Sequence, residues 1–176
     1  MIVNDMFKEQ LEKKKTAILD RWFGLILETY PSNTSKILKA EKDRFVNPVG
    51  QTIAKEIETL YGELIGGMNS DRISESLENM IRIRSVQDFS PSKAVLFVHS
   101  LKKAIKDELA GEMRGADVFE EWLALESNID DLCLRAFDIY MNCREKICEI
   151  RVHEMESQRD SALRLMARSG LIPDKQ

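Results

Sequence analysis

Apolar residues recur at spacings of three and four along most of the chain, a pattern typical of α-helices that bury one face. The first such series predicts a helix from about Asn4 to Thr29. Its apolar positions are Phe7, Leu11, Ile18, Trp22 and Leu25. No stretch alternates apolar and polar residues for long enough to indicate a strand. The pattern therefore predicts an all-α fold.

Two further helices are predicted to begin at a capping residue followed by proline. Asn47-Pro48 and Ser90-Pro91 both place a good N-cap residue before a residue that suits the first helical position. If the Ser90 side chain caps its helix, Ser90→Ala should destabilise the protein by about 1 kcal/mol. Gly66-Gly67 is expected to stop the helix that begins at Pro48.

The remaining short elements follow from turn residues. The turn 30-YPSN-33 ends the first helix, because the residue before a proline disfavours the helical conformation. A short helix is then expected from about Thr34 to Arg44. Ser70 or Asp71 should cap another helix that ends near residues 85–88. With the last helix of the chain, the pattern predicts a bundle of about six helices.

The last predicted helix is much longer than the others. It should begin at a cap residue, Asp117, and continue to Arg168. Its heptad-like apolar series is Val118, Trp122, Leu125, Ile129, Leu132, Ala136, Ile139 and Cys143. A helix of this length would span roughly 75 Å, so we expect that it breaks or that its C-terminal half pairs with something. The predicted domains are 1–115 (a helical domain), 116–168 (the long helix, packing on that domain and on a partner) and 169–176 (a flexible tail).

Composition narrows the class of protein. The chain has 176 residues, of which 43% are hydrophobic and 32% charged, and its net charge is −4. That charge disfavours general attraction to nucleic acid or to an anionic membrane. No secretory signal and no run of about 18 apolar residues is evident, so we expect a cytoplasmic protein that does not insert into membranes.

The residues that usually carry chemistry form no recognisable constellation. Ser90-x-x-Lys93 matches a nucleophile motif, but the S-D-N and K-T-G elements that accompany it are missing. Three cysteines without a C-x-x-C pair indicate neither a disulfide framework nor a zinc knuckle. The two histidines lack a partner at metal-binding spacing. We therefore expect no catalytic residue, no metal and no cofactor, and the alternative is a haem or apolar ligand near His99 or Cys133.

Two connections between helices are unusually rich in hydrogen-bonding groups. They are 42-KDRFVNP-48 and 79-NMIRIRSVQD-88. One interpretation is that these groups cap helix ends and bridge loops; the other is a surface that recognises a ligand or a partner protein. The candidate surface residues are Asp43, Arg44, Asn47, Arg82, Arg84, Gln87, Asp88 and Ser90.

The chain resembles the N-terminal domain family of the RsbT co-antagonist protein RsbRD. The matching stretches are 18-ILDRWFGLILETYP-31, 42-KDRFVNPVGQTI-53 and 81-IRIRSVQDFSPSKAVLFVHSLK-102, in the correct order. The resemblance implies a helical, non-catalytic sensor or interaction domain in bacterial signalling. Better-known co-antagonists have haem-free, globin-like N-terminal domains that dimerise, so it also suggests a globin-like bundle and a homodimer with a regulatory or enzyme partner.

The chain departs from this family in one respect. Such domains usually precede a STAS domain or a kinase, whereas here only a long helical segment follows. Signalling through a phosphorylated output domain is therefore in doubt, and the module is expected to stand alone. The predicted function is a regulatory or adaptor domain acting through protein–protein contacts, and the alternative is a helical sensor of a small molecule or haem.

Overall fold

The computed structural model describes residues 5–40, 47–87, 89–111 and 116–169. Within these ranges the chain forms seven α-helices and no strand, which confirms the all-α prediction. The helices are α1 (Asp5–Lys13), α2 (Lys15–Leu27), α3 (Ser32–Ala40), α4 (Pro48–Gly66), α5 (Ser70–Ser85), α6 (Pro91–Leu109) and α7 (Ala116–Arg168). The globin-like arrangement stays a prediction.

The predicted first helix is in fact two, and this accounts for the seventh helix. Lys14 separates α1 from α2, with φ −97° and ψ 5°. These angles lie in the sparsely populated region between helix and extended chain. The Lys14 ammonium group donates to the Glu108 carbonyl oxygen at 3.3 Å, near the end of α6. Because Phe7 and Leu11 of α1 are buried like the apolar residues of α2, the spacing pattern runs through the break without a signal.

Two helix pairs organise the core: α2 packs against α6, and α4 packs against α5. The Trp22 indole Nε1 of α2 donates to the Phe97 carbonyl oxygen of α6 at 2.6 Å in the buried interior. The Tyr61 hydroxyl of α4 donates to the Leu11 carbonyl oxygen at 3.0 Å. Leu11 lies in the last turn of α1, where helix carbonyls run out of partners along the chain. The aromatic side chains therefore fill the core and also satisfy backbone groups.

The helix starts confirm one predicted cap and correct three. The Asn47 Oδ1 accepts from the Gly50 backbone N–H at 2.8 Å, so the Asn47-Pro48 start of α4 is confirmed. The cap of α5 is Asn69, one residue before the predicted pair, and its Oδ1 accepts from the backbone N–H groups of residues 71 and 72. Pro91 does begin α6, but the Ser90 side chain makes no capping hydrogen bond and lies instead 3.2 Å from Ser92 Oγ. Because α7 begins at Ala116, Asp117 is inside the helix and not before it.

The end of α4 differs in its details from the expectation for Gly66-Gly67. The helix does end at Gly66, but Gly67 has a φ of −177°, an extended conformation that any residue adopts. The left-handed position is the next residue, Met68, with φ 53°. The backbone N–H groups of Gly67 and Met68 both donate to the Glu63 carbonyl oxygen, at 3.2 and 2.8 Å. The turn is therefore closed by backbone hydrogen bonds at a non-glycine residue.

The chain divides into two compact units, residues 1–140 and 141–176, and α7 contributes to both. In the first unit the predicted apolar series is largely confirmed, with Tyr140 buried at the position where Ile139 was expected. The buried members are Val118, Trp122, Leu125, Ile129, Leu132, Ala136 and Tyr140. In the second unit nearly every described side chain is exposed, so the buried series ends at Tyr140 and does not reach Cys143, the last predicted member, which is half-buried. The domain boundary placed after residue 115 stays a prediction, and the predicted tail lies almost wholly outside the described residues.

None of the helices in the described ranges combines the length and the apolar character that a membrane span requires.

Candidate functional site

Arg84 is the most unusual polar residue of the core. It lies in the last turn of α5, and only 1% of its surface is exposed. Its Nε donates to the Ala94 carbonyl oxygen and its Nη2 to the Lys93 carbonyl oxygen, both at 2.9 Å. Nη2 also donates to Thr29 Oγ1 at 2.9 Å, and Nη1 lies 3.5 Å from the Tyr30 hydroxyl. The guanidinium group thus joins the end of α5 to the segment after α2 and to the first turn of α6.

Aromatic rings surround the same guanidinium group. Its central carbon lies 4.4 Å from the centre of the Phe89 ring, 5.4 Å from Tyr30 and 5.8 Å from Phe97. The Phe89 and Tyr30 rings meet edge to face, with centres 5.3 Å apart. Within the described part of the chain, no carboxylate forms an ion pair with Arg84. Neutral oxygens and ring faces therefore compensate for its removal from water.

Burial also changes the acid–base properties of this cluster. Removal from water lowers the pKa of Arg84, and the interaction with Tyr30 acts in the opposite direction. Burial raises the pKa of Tyr30, and the neighbouring Arg84 charge partly offsets this effect. An arginine side chain begins from such a high pKa that it remains charged. The site therefore keeps a permanent positive charge beside a neutral phenol.

A cavity of about 550 Å³ opens beside the Arg84 cluster. Its volume is within the range of small-molecule sites. The Gln87 Oε1 atom is buried and has no hydrogen-bond partner among the described residues. The cavity is lined by Thr29, Tyr30, Pro31, Thr34, Gln87, Phe89 and Lys93. This wall offers aromatic surface, hydroxyl groups and the exposed side chain of Lys93.

Those sequence-predicted site residues that the structure describes lie in different environments. Asn47 is buried, and its Nδ2 donates to the Leu38 carbonyl oxygen at 2.9 Å, so its side chain holds α3 to the start of α4. Arg84 is buried and Gln87 half-buried, whereas Arg82 and Ser90 are exposed. Asp43, Arg44 and Asp88 lie outside the described residues. The contacts of Asn47 and Arg84 agree with the interpretation that such polar groups cap helix ends and bridge loops.

The Arg84 cavity includes residues that the sequence patterns did not single out as a site. Tyr30 and Pro31 were interpreted as a helix stop, and Lys93 was considered only as part of the Ser90-x-x-Lys93 motif. Lys93 is exposed and also lines the cavity. The sequence offered one signal: Phe89 and Lys93 lie on either side of the predicted Ser90-Pro91 helix start and are therefore close to each other. Their proximity to Tyr30 is a tertiary contact that no local pattern contains.

A second cluster contains three side chains of metal-ligating type. His99 lies on α6, and Asp130 and Cys133 lie on α7. Their ligand atoms are all within 4.8 Å of one another. Lys102 pairs with the Asp130 carboxylate at 2.7 Å. Burial, and then the Asp130 charge, raise the pKa of the Cys133 thiol to about 11, against the lowering effect of Lys102. His99 itself is exposed.

The described geometry does not support a serine nucleophile. Ser90 Oγ lies 3.2 Å from Ser92 Oγ. The contact that Lys93 makes is through its backbone carbonyl oxygen, which accepts a hydrogen bond from Arg84. A general base must lie within hydrogen-bond reach of the proton that it removes. No such contact to the Ser90 hydroxyl exists in the described part of the chain beyond the one with Ser92.

These features define an all-α domain whose polar centre joins helix ends. The family model described as the RsbT co-antagonist protein rsbRD N-terminal domain matches residues 16–155. The chain therefore belongs to this family, as the three matching stretches indicated. The family is one of regulatory signalling domains and is not known as a catalytic one.

A relative from Archaeoglobus fulgidus extends the likeness over almost the whole chain. It is an uncharacterised protein that is 24% identical over 157 residues, which cover 89% of this chain and 93% of the relative. No solved structure matches the chain. The family assignment therefore rests on sequence.

Proposed function

We propose that this chain is a non-catalytic regulatory domain that acts in the cytoplasm through protein–protein contacts, as a homodimer. The main support comes from the second unit, where α7 exposes a regular series of apolar or sulfur-containing side chains. We call this series the apolar row. It consists of Met141, Cys148, Val152, Met155, Ala162 and Met166.

The spacing of the apolar row is that of a two-stranded coiled coil. Met141, Cys148, Met155 and Ala162 are separated by seven residues each, and Val152 and Met166 follow four residues after a member of that set. Alternation of four and three keeps one seam of the helix toward a partner helix. Glu145 and Arg159 occupy the other two seam positions, which makes the pairing weaker than that of a fully apolar seam.

Charges beside the row favour a second copy of the same chain in parallel orientation. Taking Cys148 and Met155 as d positions, Arg151 is at a g position and Glu156 at the following e position. In a parallel, in-register dimer, g and the following e of the other strand face each other, so Arg151 would meet Glu156 of the second copy. Antiparallel pairing would instead bring like charges together. Both side chains are exposed.

Light scattering of the purified protein tests the dimer. We expect the wild type to have twice the mass of the chain and Met155→Glu to reduce it to a monomer, because a charge would enter the seam. The matched control is Ile150→Glu, since Ile150 is also exposed but lies ~140° around the helix from Met155. A monomeric wild type, or equal effects of the two substitutions, would contradict this interface.

Two further measurements test the orientation. Arg151→Glu should weaken the dimer, and adding Glu156→Arg should restore it, because the pair is then reversed. In variants that retain a single cysteine, mild oxidation should join Cys148 to its counterpart, since in-register strands bring equal positions together. Cys143, five residues earlier and ~140° away, is the control. Efficient crosslinking through Cys143 and not Cys148 would place the interface on another face.

The exposed residues near the end of α5 and the start of α6 are the proposed contact surface for a regulatory partner. Arg82 and Ser90 are exposed and Gln87 is half-buried, near the ends of α5 and α6. We place the partner there for two reasons. These residues belong to the stretch 81–102 that resembles the family, and in the described part of the chain they do not join helices as the buried Arg84 does. Co-purification from the native host should recover a partner with the wild type and less of it with Arg82→Glu. An unchanged recovery would remove Arg82 from the contact.

The cavity beside Arg84 supports a second candidate function, sensing of a small molecule. The aromatic rings of its wall would contact such a molecule, and the exposed Lys93 side chain would favour an anionic ligand. The haem form of this candidate involves His99, which lines another cavity of about 500 Å³. Addition of haem should then produce a Soret band that His99→Ala removes. The absence of that band would leave only the small-molecule form.

A further inference from the structure

His99, Asp130 and Cys133 come together from two helices. Asp130 and Cys133 are three residues apart on α7, so their side chains are neighbours on one helix face. His99 comes from α6, and all three ligand atoms lie within 4.8 Å of one another. All three residues belong to the first unit of the chain. The cluster is a product of helix packing, because no sequence spacing connects His99 to the other two.

The donor set selects a class of metal. An imidazole nitrogen, a cysteine sulfur and a carboxylate oxygen are the ligands that Zn²⁺ takes in proteins. Mg²⁺ and Ca²⁺ prefer oxygen ligands alone, so sulfur and nitrogen disfavour them. Three protein ligands leave one tetrahedral position for water. His99 and Asp130 are exposed, which leaves their side chains room to turn toward a common ion.

We propose that His99, Asp130 and Cys133 bind a Zn²⁺ ion that links α6 to α7. On binding, the Cys133 thiol releases its proton to solvent as the sulfur–zinc bond forms, and the ion replaces Lys102 as the counter-charge of Asp130. Lys102 holds that carboxylate at 2.7 and 2.8 Å through its two oxygens, so it competes directly with the metal. The ion thereby fixes a helix–helix contact in the part of the chain that precedes the apolar row.

Cobalt provides the direct test, because Co²⁺ occupies zinc sites and a thiolate ligand gives it an intense near-ultraviolet band. Titration of the full chain with Co²⁺ should produce this band at one equivalent, and Zn²⁺ should abolish it by displacement. Cys133→Ser and His99→Ala should each lose the band. The matched controls are Cys148→Ser and His153→Ala, which change a cysteine and a histidine outside the cluster and should leave it intact. A band that survives Cys133→Ser, or disappears in a control, would overturn the proposal.

The Co²⁺ affinity of a Lys102 variant and the thermal stability of the wild type test the site even if a cluster variant folds poorly. Lys102→Met preserves the aliphatic stem but removes the competing charge, so it should lower the Co²⁺ concentration at half-saturation. Zn²⁺ should also raise the midpoint of thermal unfolding of the wild type, since an ion that binds only the folded state stabilises it, and a chelator should reverse the shift. Unchanged or weaker Co²⁺ binding in Lys102→Met would contradict the assignment of Asp130 as a ligand. These readouts are independent of dimerisation.

Discussion

The guanidinium carbon of Arg84, in the last turn of α5, lies 4.4 Å from the centre of the ring of Phe89, which belongs to the connection between α5 and α6. Phe89 covers one side of the guanidinium group, and the carbonyl oxygens of Lys93 and Ala94 accept from it. The connection between α5 and α6 and the first turn of α6 therefore enclose the buried guanidinium group of α5.

Arg84→Lys should destabilise the protein by about 3 kcal/mol, even though the charge is kept. A lysine ammonium group cannot reproduce the planar fork that reaches Ala94, Lys93 and Thr29 at once, and buried acceptors lose their donors. Urea unfolding monitored by circular dichroism measures the change. Arg82→Lys is the matched control, because Arg82 is exposed on the same helix and should change stability by less than about 0.5 kcal/mol. Similar losses for the two variants would mean that Arg84 is not the centre of this junction.

Gly50→Ala should destabilise the protein, because a β-carbon at this position would overlap the Asn47 side chain. Asn47 would have to move, which removes the cap of α4 and the hydrogen bond to Leu38, and we expect a loss of about 1–3 kcal/mol. Gly62→Ala on the same helix is the control. Gly62 has nothing within 4 Å of the added carbon, so alanine should stabilise the helix by about 0.5–1 kcal/mol. The two substitutions should thus shift the unfolding midpoint in opposite directions, and a shift of the same sign would refute the argument.

Asn69→Ala and Ser90→Ala should differ, although both residues occupy N-cap positions. Asn69 accepts from two backbone N–H groups at 3.1 Å, so its loss should lower the free energy of unfolding by about 1 kcal/mol. Ser90 makes no such bond and should change it by less than about 0.5 kcal/mol. Denaturant unfolding of the two variants side by side decides this. An equal loss would show that Ser90 caps α6 in solution.

Stability should fall as the pH rises above about 10, the usual pKa of tyrosine. Burial, with a smaller contribution from Glu12, raises the pKa of Tyr61 in the folded protein. The folded state therefore holds its phenolic proton where the unfolded state releases it, so the contribution of Tyr61 is complete below about pH 10 and is lost at higher pH. Urea unfolding across this range measures the slope.

Tyr61→Phe is the informative control for that slope. It removes the hydrogen bond to Leu11 and should lower stability at all pH values, but it should also flatten the alkaline dependence. Loss of the hydrogen bond alone would leave the slope unchanged. A variant with the wild-type slope would therefore show that Tyr61 is not the group responsible.

Local sequence patterns could predict the parts of the fold that depend on local interactions. The start of α4 at Asn47-Pro48 is such a case, because the capping geometry involves only the next three residues. The buried face of α6 is another, since the apolar residues that recur at spacings of three and four are all buried: Ala94, Val98, Leu101, Ile105 and Leu109. The break at Lys14 was not predictable in this way, because the apolar spacing continues through it.

The candidate site depends on contacts between distant parts of the chain. Arg84 appeared in a polar stretch that was open to two interpretations, helix capping and loop bridging or a recognition surface, because its partners Thr29 and Tyr30 are 55 and 54 residues away in sequence. Likewise, His99 and Cys133 each appeared alone, and only the packing of α6 beside α7 brings them together with Asp130. A helical pattern identifies which face is buried but not which other helix it meets.

The absence of a carboxylate partner for Arg84 in the described residues has a consequence for the response to ionic strength. Surface ion pairs such as that between Arg21 and Asp107, at 2.8 Å, weaken as dissolved salt screens their charges. The contacts of Arg84 are with neutral oxygens and ring faces inside the protein, where mobile ions do not enter. When the salt concentration rises, the junction of α2, α5 and α6 should keep its geometry while the exposed helix contacts loosen around it.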